Sequence, residues 1–373
     1  MSMKLFYRKN KYADGGSLNR IAIRKLKANK LAMTAFYFIL FVSILSTLGY
    51  LITPDSTPYA NHQTLELASL KPGEQVQFFY QKKDVDTNKV SFLHRMLYGK
   101  ENRYQMIPIN NFKYKDSVEI EIEHYTKSGT NGQTSSYQFI DPNPIKTKTF
   151  LLGTDRYGRD YLSRLIIGAR VSLSVGFISV FISLVIGITL GSIAGYFGGK
   201  VDHFIVWLIN VIWSIPTLLL VIAITFALGK GFWQVFIAVG LTMWVEVARV
   251  VRGQVLSLKE KEYVEAGTAL GFKTSRIIFK HILPNTVAPV IVISAANFAA
   301  AILIEAGLSF LGIGIQPPMP SWGSMIKENY AYIILDSAYL AILPGVAIML
   351  MVLAFMVFGN GLREALNVKS QQI

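Results

Sequence analysis

Glu305 stands inside an apolar run, where an ionisable group is costly and usually faces the interior of a helix bundle or a water-filled path. Two roles fit it: a hydrogen-bonding post between helices, or a lining residue of a translocation path. Asp155, Arg156, Arg159 and Asp160 gather carboxylates and guanidiniums within one short segment, the raw material of acid–base catalysis with anion clamps. They precede a stretch with Leu162, Leu165, Ile166 and Ala169 on one side, which reads as an elbow helix at the outer membrane surface with a structural or gating role. His62, His94, His124, His203 and His281 show no metal-ligand spacing, so no metal site is expected. Gly198-Gly199-Lys200 fails as a phosphate loop, since Val201 follows the lysine and Ala194 stands where the loop needs its first glycine. Without cysteine or a GxSxG pattern no nucleophile can be named, and no catalytic residue is assigned.

The elements that must position these residues are membrane helices. The chain of 373 residues is 52% hydrophobic and 16% charged, with a mean hydropathy of +0.39, a balance that a water-soluble domain would not keep in solution. Its formal charge of +14 does not point to nucleic acid, because the basic residues flank apolar runs and form no separate aromatic-basic stripe.

Uncharged runs long enough to cross about 30 Å of hydrocarbon begin at 31–52, read as a retained anchor because no small-x-small cleavage site follows. Residues 1–30 carry nine Lys/Arg against Asp14 alone, which places them in the cytoplasm, with 17–30 a candidate basic helix on the membrane surface. Further spans are expected at 171–199, 204–228 with a kink at Pro216, 232–248, 287–311 and 338–358, and a Pro-rich external turn at 316–322. The segment 53–150 is long for a loop. Val118, Ile120 and Ile122 alternate there with Glu119, Glu121 and Glu123, a strand pattern; 75–81 and 104–109 are further strand candidates, and 129–132 a turn. The fold class is thus an all-α polytopic membrane protein of about six transmembrane helices with a small β-rich extracytoplasmic insert. Its parts are the basic segment 1–30, the first span 31–52, the insert 53–150, a core 151–365 with five spans, and a cytoplasmic tail 366–373. Seven Lys/Arg fall in the connection 249–286, which therefore lies on the cytoplasmic side.

Within that connection, 262–270 reads as one short helix, Gly271 as its left-handed cap, Thr274 or Ser275 as the start of a second helix, and Pro284 as the stop before the next span. A short helix between two bends is a stiff knob, suited to carrying force into a pore. Glu265-Ala266-Gly267, Gly271 and His281-Ile282-Leu283-Pro284-Asn285 resemble the EAA loop of ABC importer permeases of the oligopeptide, dipeptide and nickel group. The likeness extends to Leu152-Gly153-Thr154-Asp155 with Gly158-Arg159-Asp160, to Gly168-Ala169-Arg170, and to Ala194-Gly195-Tyr196 with Gly198-Gly199 and Asp202. Ser214-Ile215-Pro216, Ala248-Arg249 with Arg252-Gly253, Leu308-Ser309-Phe310-Leu311-Gly312 and Pro320-Ser321-Trp322-Gly323 continue it. One departure is Gly267, where the family usually has a second alanine.

What the resemblance implies is a permease subunit of an ATP-driven importer, forming half of the translocation path for peptides and sitting in the bacterial cytoplasmic membrane with both termini inside. Glu262, Tyr263, Glu265, Ala266, Gly267, Leu270 and Gly271 would be the coupling residues, with His281 and Pro284 holding the loop. Partners would be a second related permease, two ABC ATPase subunits binding ATP and magnesium, and an extracytoplasmic solute-binding protein. No cofactor is expected on this chain. Alternatives are a relative for nickel chelates or another small solute, and, from a different class, a stand-alone secondary transporter. The absence of a convincing internal repeat weighs against the last.

Overall fold

The computed structural model describes residues 18–83, 90–127, 132–229, 231–335 and 337–366. The basic residues from Lys4 to Lys11, most of the 129–132 turn and the tail beyond Leu366 lie outside them. A basic helix, α1 (Leu18–Ala28), leads into α2 (Lys30–Thr47) through Asn29, whose side chain caps α2 by accepting from the Ala32 N–H. The short α3 (Gly49–Ile52) follows.

The insert is a five-stranded antiparallel sheet. In chain order it contains β1 (Glu74–Lys82), the helix α4 (Phe92–Tyr98), β2 (Tyr104–Tyr114), β3 (Glu119–His124), β4 (Thr134–Gln138) and β5 (Ile145–Phe150), arranged β4-β3-β2-β1-β5. Ile120 and Ile122 are fully buried, as the alternation requires, and pack with Phe79, Ile107 and Ile109. Val118 is excluded from the strand and exposed, because Asp116 accepts from the Val118 and Glu119 N–H groups and turns the chain there. Strands β4 and β5, rich in Ser, Thr and Lys, have too little apolar alternation to be legible in the sequence.

The helical core consists of α5 (Tyr161–Phe197), α6 (Gly199–Trp213), α7 (Thr217–Leu228), α8 (Phe232–Lys259), α9 (Glu262–Ala269), α10 (Thr274–Arg276), a π-helical turn (Ile277–Ile282), α11 (Leu283–Phe310), α12 (Trp322–Asn329) and α13 (Tyr339–Leu366). Among the described residues five helices are long and apolar enough to cross a membrane, and six spans result if α6 and α7 count as one. That pair is bent by 93° at the break before Thr217, a sharper turn than a proline kink alone requires.

Several expected boundaries are corrected. The elbow and the second span are one helix, α5, whose 37 residues extend about 55 Å and so exceed the hydrocarbon thickness. The fourth helix does not end at 248. It continues through Arg249 and Arg252 to Lys259, because Val247, Val251 and Val255 recur every fourth residue and are all buried. Pro284 does not stop the connection: a continuous helix runs from Thr274 to Phe310, and the wider π turn just before the proline accommodates its ring and missing N–H. The Pro-rich segment ends in a helix, since Ser321 forms a capping box with Ser324 that starts α12. The last span extends to Leu366.

Candidate functional site

Helix α9 has two different faces. Val264 and Gly267 point inward, Val264 joining Val247, Val251 and Val255 of α8 and Ile277 and Ile282 of the π turn in one apolar cluster. Glu262, Tyr263, Glu265, Ala266 and Leu270 are exposed, with Leu270 at 74% and Tyr263 at 45%. Neither glutamate takes part in an ion pair among the described residues. Both stand in the first turn, where they complement the helix dipole.

The end of α9 is closed by a Schellman arrangement: Phe272 N–H donates to the Gly267 carbonyl and Gly271 N–H to that of Thr268, each at 3.0 Å. Gly271 adopts φ +75°, the left-handed conformation that the sequence requires of it. Phe272 has two ring partners, stacking on His281 at 5.9 Å and lying under the Arg276 guanidinium at 4.1 Å. This ring gives Gly267 its reason: a Cβ there would meet Phe272 Cδ2 at 3.3 Å. Of the expected loop residues, His281 therefore acts through Phe272, and Pro284 is exposed beyond the π turn.

The cluster behind α9 belongs to a close helix pair. Gly187, Gly191 and Gly195 of α5 face α8, and a Cβ on them would lie 2.5 Å from Val247 Cβ, 2.5 Å from the Ala248 carbonyl oxygen and 2.8 Å from Val255 Cβ. Small residues at four-residue spacing let membrane helices approach backbone to backbone. Arg252, whose backbone carbonyl borders that contact beside Gly195, makes a bidentate pair with Asp202 at the start of α6, at 2.5 and 2.6 Å. The knob is thus fixed to α8, and α8 in turn to α5 and α6.

Glu305 is fully buried and accepts from Ser309 Oγ at 2.7 Å on its own helix and from Ser172 Oγ of α5 at 3.2 Å. Ser172 Oγ also accepts from the Trp322 N–H at 3.4 Å, and Ser309 Oγ from the Ile315 N–H at 3.1 Å. In this conformation the carboxylate joins α11, α5 and the start of α12 as a hydrogen-bonding post and is enclosed by them.

The charged segment before α5 separates into distinct roles. Arg159 Nε meets Asp155 Oδ2 at 2.6 Å, its Nη2 meets Glu328 Oε2 of α12 at 2.5 Å, and its Nη1 donates to Asn61 at 3.2 Å. Arg164 lies 3.6 Å from both acids, and the side chains of Asp155, Arg159 and Arg164 are at most 3% exposed. Asp160 caps α5, accepting from Ser163 N–H and Oγ, while Arg156 stays outside against Tyr157. Arg164 and Glu328 were not singled out from the sequence, and Arg164 gave no signal there, because it falls on the side of the helix away from Leu162, Leu165, Ile166 and Ala169.

Comparison with known proteins follows the same division of the chain. The family described as "Binding-protein-dependent transport system inner membrane component" matches residues 187–370, and "N-terminal TM domain of oligopeptide transport permease C" matches 17–72. The dipeptide transport system permease protein DppC of Alkalihalophilus pseudofirmus is 44% identical over 58% of this chain and 71% of its own length. The glutathione transport system permease protein GsiD of Pectobacterium atrosepticum is 41% identical over 58% and 72%. The oligopeptide transport system permease protein OppC of Bacillus subtilis is 38% identical over 63% and 77%. A structure of the MetNI methionine ABC transporter aligns with 54% of this chain and 96% of that one at 19% identity and a TM-score of 0.45. The chain belongs to the inner-membrane components of binding-protein-dependent transport systems, and is a multi-pass permease subunit of an ABC importer.

Proposed function

We propose that this chain forms half of the translocation path of a peptide importer and that α9 is the element a separate ATPase subunit grips. The carrying observation is the division of α9: one face locked into the α8 cluster through Val264 and Gly267, the other presenting Glu262, Tyr263, Glu265, Ala266 and Leu270, exposed and in no ion pair among the described residues. A stiff, half-satisfied helix of this kind transmits displacement, because its buried side cannot slide without moving α8. A second related permease would complete the path, two ATPase subunits would bind ATP and magnesium, and an extracytoplasmic binding protein would deliver the solute. Peptide cargo is supported by the relatives that carry dipeptides, oligopeptides and glutathione. Lys259, Lys261, Lys273, Arg276 and Lys280 around α9 support a cytoplasmic position for it, with both termini on the same side and the sheet outside.

The test is Glu265→Lys. The variant is expected to insert and fold normally, to lose co-purification with its ATPase subunits and to lose ATP-dependent uptake. Uptake at the parental rate would overturn the coupling role of α9.

A further inference from the structure

A cavity of about 340 Å³ lies where the connection after α3 meets the sheet, and its lining is cationic. Arg95 of α4, Lys100 and Arg103 of the following connection, and Lys148 of β5 reach it from separate segments. None of the four forms an ion pair among the described residues. Two acids line it as well. The Asp55 carboxylate is already engaged, accepting from Thr57 N–H and Oγ1 and from His62 N–H, and Glu101 is exposed. Four cations against two acids leave an excess of positive charge in one concavity, and an entering anion relieves the repulsion among them.

The floor supplies two further observations. His62 Nε2 is shut off from solvent and has no hydrogen-bond partner. Its pKa is held below the ordinary imidazole value chiefly by burial; Asp55 pulls it up, and Lys148 and Lys83 push it down. Tyr80 and Tyr104, edge to face at 5.9 Å, and Met106 add apolar wall beside the charges. Convergent cations next to aromatic wall suit a small amphipathic solute better than a flat protein surface.

We propose that this cavity is a recognition site for the carboxylate end of a short peptide-sized solute, with Arg103 and Lys148 as the principal anion contacts and Tyr80 and Tyr104 against the adjoining residue. Arginine supplies the planar fork that matches a carboxylate, and lysine a point charge. The choice of carboxylate among anions rests on the peptide-importer reading; the excess of cations does not.

The experiment uses the full chain in lipid nanodiscs, titrated with N-acetyl-dialanine, with its C-terminal amide and with inorganic phosphate. Calorimetry reads affinity, and the NMR signals of the His62 ring report occupancy of the cavity. The carboxylate probe is expected to bind about tenfold more tightly than the amide, the equivalent of one charge-assisted contact. Arg103→Gln with Lys148→Gln removes that advantage without touching a buried packing residue. Equal affinity for acid and amide, or binding unchanged in the double variant, overturns the proposal. So does phosphate binding more tightly than the peptide. Absence of probe binding also overturns it and leaves these cations to an acidic surface of a docking protein. ATPase co-purification of the double variant tests the permease reading separately, since α9 is unaltered in it.

Discussion

Arg159 shows how one side chain can connect distant parts of the chain. It bridges Asp155 before α5, Glu328 of α12 and Asn61 of the segment after α3, all in a setting nearly closed to water. Breaking a buried pair from one side leaves a charge without compensation, which costs about 3–5 kcal/mol. Arg159→Met leaves Asp155 and Glu328 facing one another with only Arg164 between them. A large drop in thermal midpoint in detergent is expected, and a midpoint within a degree or two of the parent would contradict the reading of this cluster as a structural tie. Glu305 calls for a gentler substitution. Its carboxylate accepts from two serines, and Glu305→Gln keeps one acceptor oxygen while asking one serine to reverse its hydroxyl. As a post between helices it should tolerate that change with uptake of neutral and cationic peptides reduced by less than about threefold, the scale of one neutral hydrogen bond. Selective loss of cationic peptides would instead place this residue in the path.

At the scale of elements, the contact between α5 and α8 decides whether movement of α9 reaches the membrane. Gly191 lies where a methyl group would press on the backbone carbonyl of Ala248 at 2.5 Å, and a backbone atom cannot turn aside as a side chain can. Gly191→Ala should therefore separate the helices and weaken uptake even if ATPase docking at α9 persists. Gly253, on the same helix α8, has nothing within 4 Å of its would-be Cβ. Gly253→Ala should leave uptake intact and add about 0.5–1 kcal/mol of helix stability. Parallel uptake and docking assays on the pair separate a packing effect from a propensity effect; equal behaviour of the two variants would sink the argument. Much of this element order was legible in the sequence. The apolar runs gave the spans, Gly271 gave the end of α9, and the period-two isoleucines gave β3. The start of the next helix at Thr274 was legible too, but the end of α8 near 259 was not, because basic residues at 249 and 252 imitate a loop until the every-fourth-residue valines and the Asp202 partner of Arg252 are seen together. The inward face of α9 was equally hidden, since only tertiary packing distinguishes Val264 from its exposed neighbours.

For the whole molecule the open question is how far the sheet is separable from the permease core. The two matched family segments, 17–72 and 187–370, leave residues 73–186 between them, and the whole sheet falls in that interval. Its first and last strands are adjacent: Glu74 pairs with Phe150 in the β1–β5 register, so the chain leaves and re-enters the core at nearly one place. Replacing 75–149 by a short Gly-Ser turn is therefore feasible in geometry, because paired residues across an antiparallel ladder are only about 5 Å apart. Excision takes Val76 and Phe78 away from Leu67 and Leu70 and leaves Phe150 as their remaining cover. It leaves other ties in place: Thr154 Oγ1 donates to the Leu67 carbonyl and accepts from the Leu70 N–H, and Tyr339 donates to the Leu70 carbonyl at 3.0 Å. The shortened chain should insert in the membrane, retain its ATPase subunits and lose the carboxylate-selective binding assigned to the Arg103 and Lys148 cavity. Its stability, followed by its thermal midpoint, should fall through the loss of cover on Leu67 and Leu70, by at most about 1.5–3 kcal/mol for each of the two side chains. Failure of the excised chain to insert or to bind its ATPase partners would show that the sheet is a folding requirement of the core, and the separability argued from the β1–β5 pairing would be wrong.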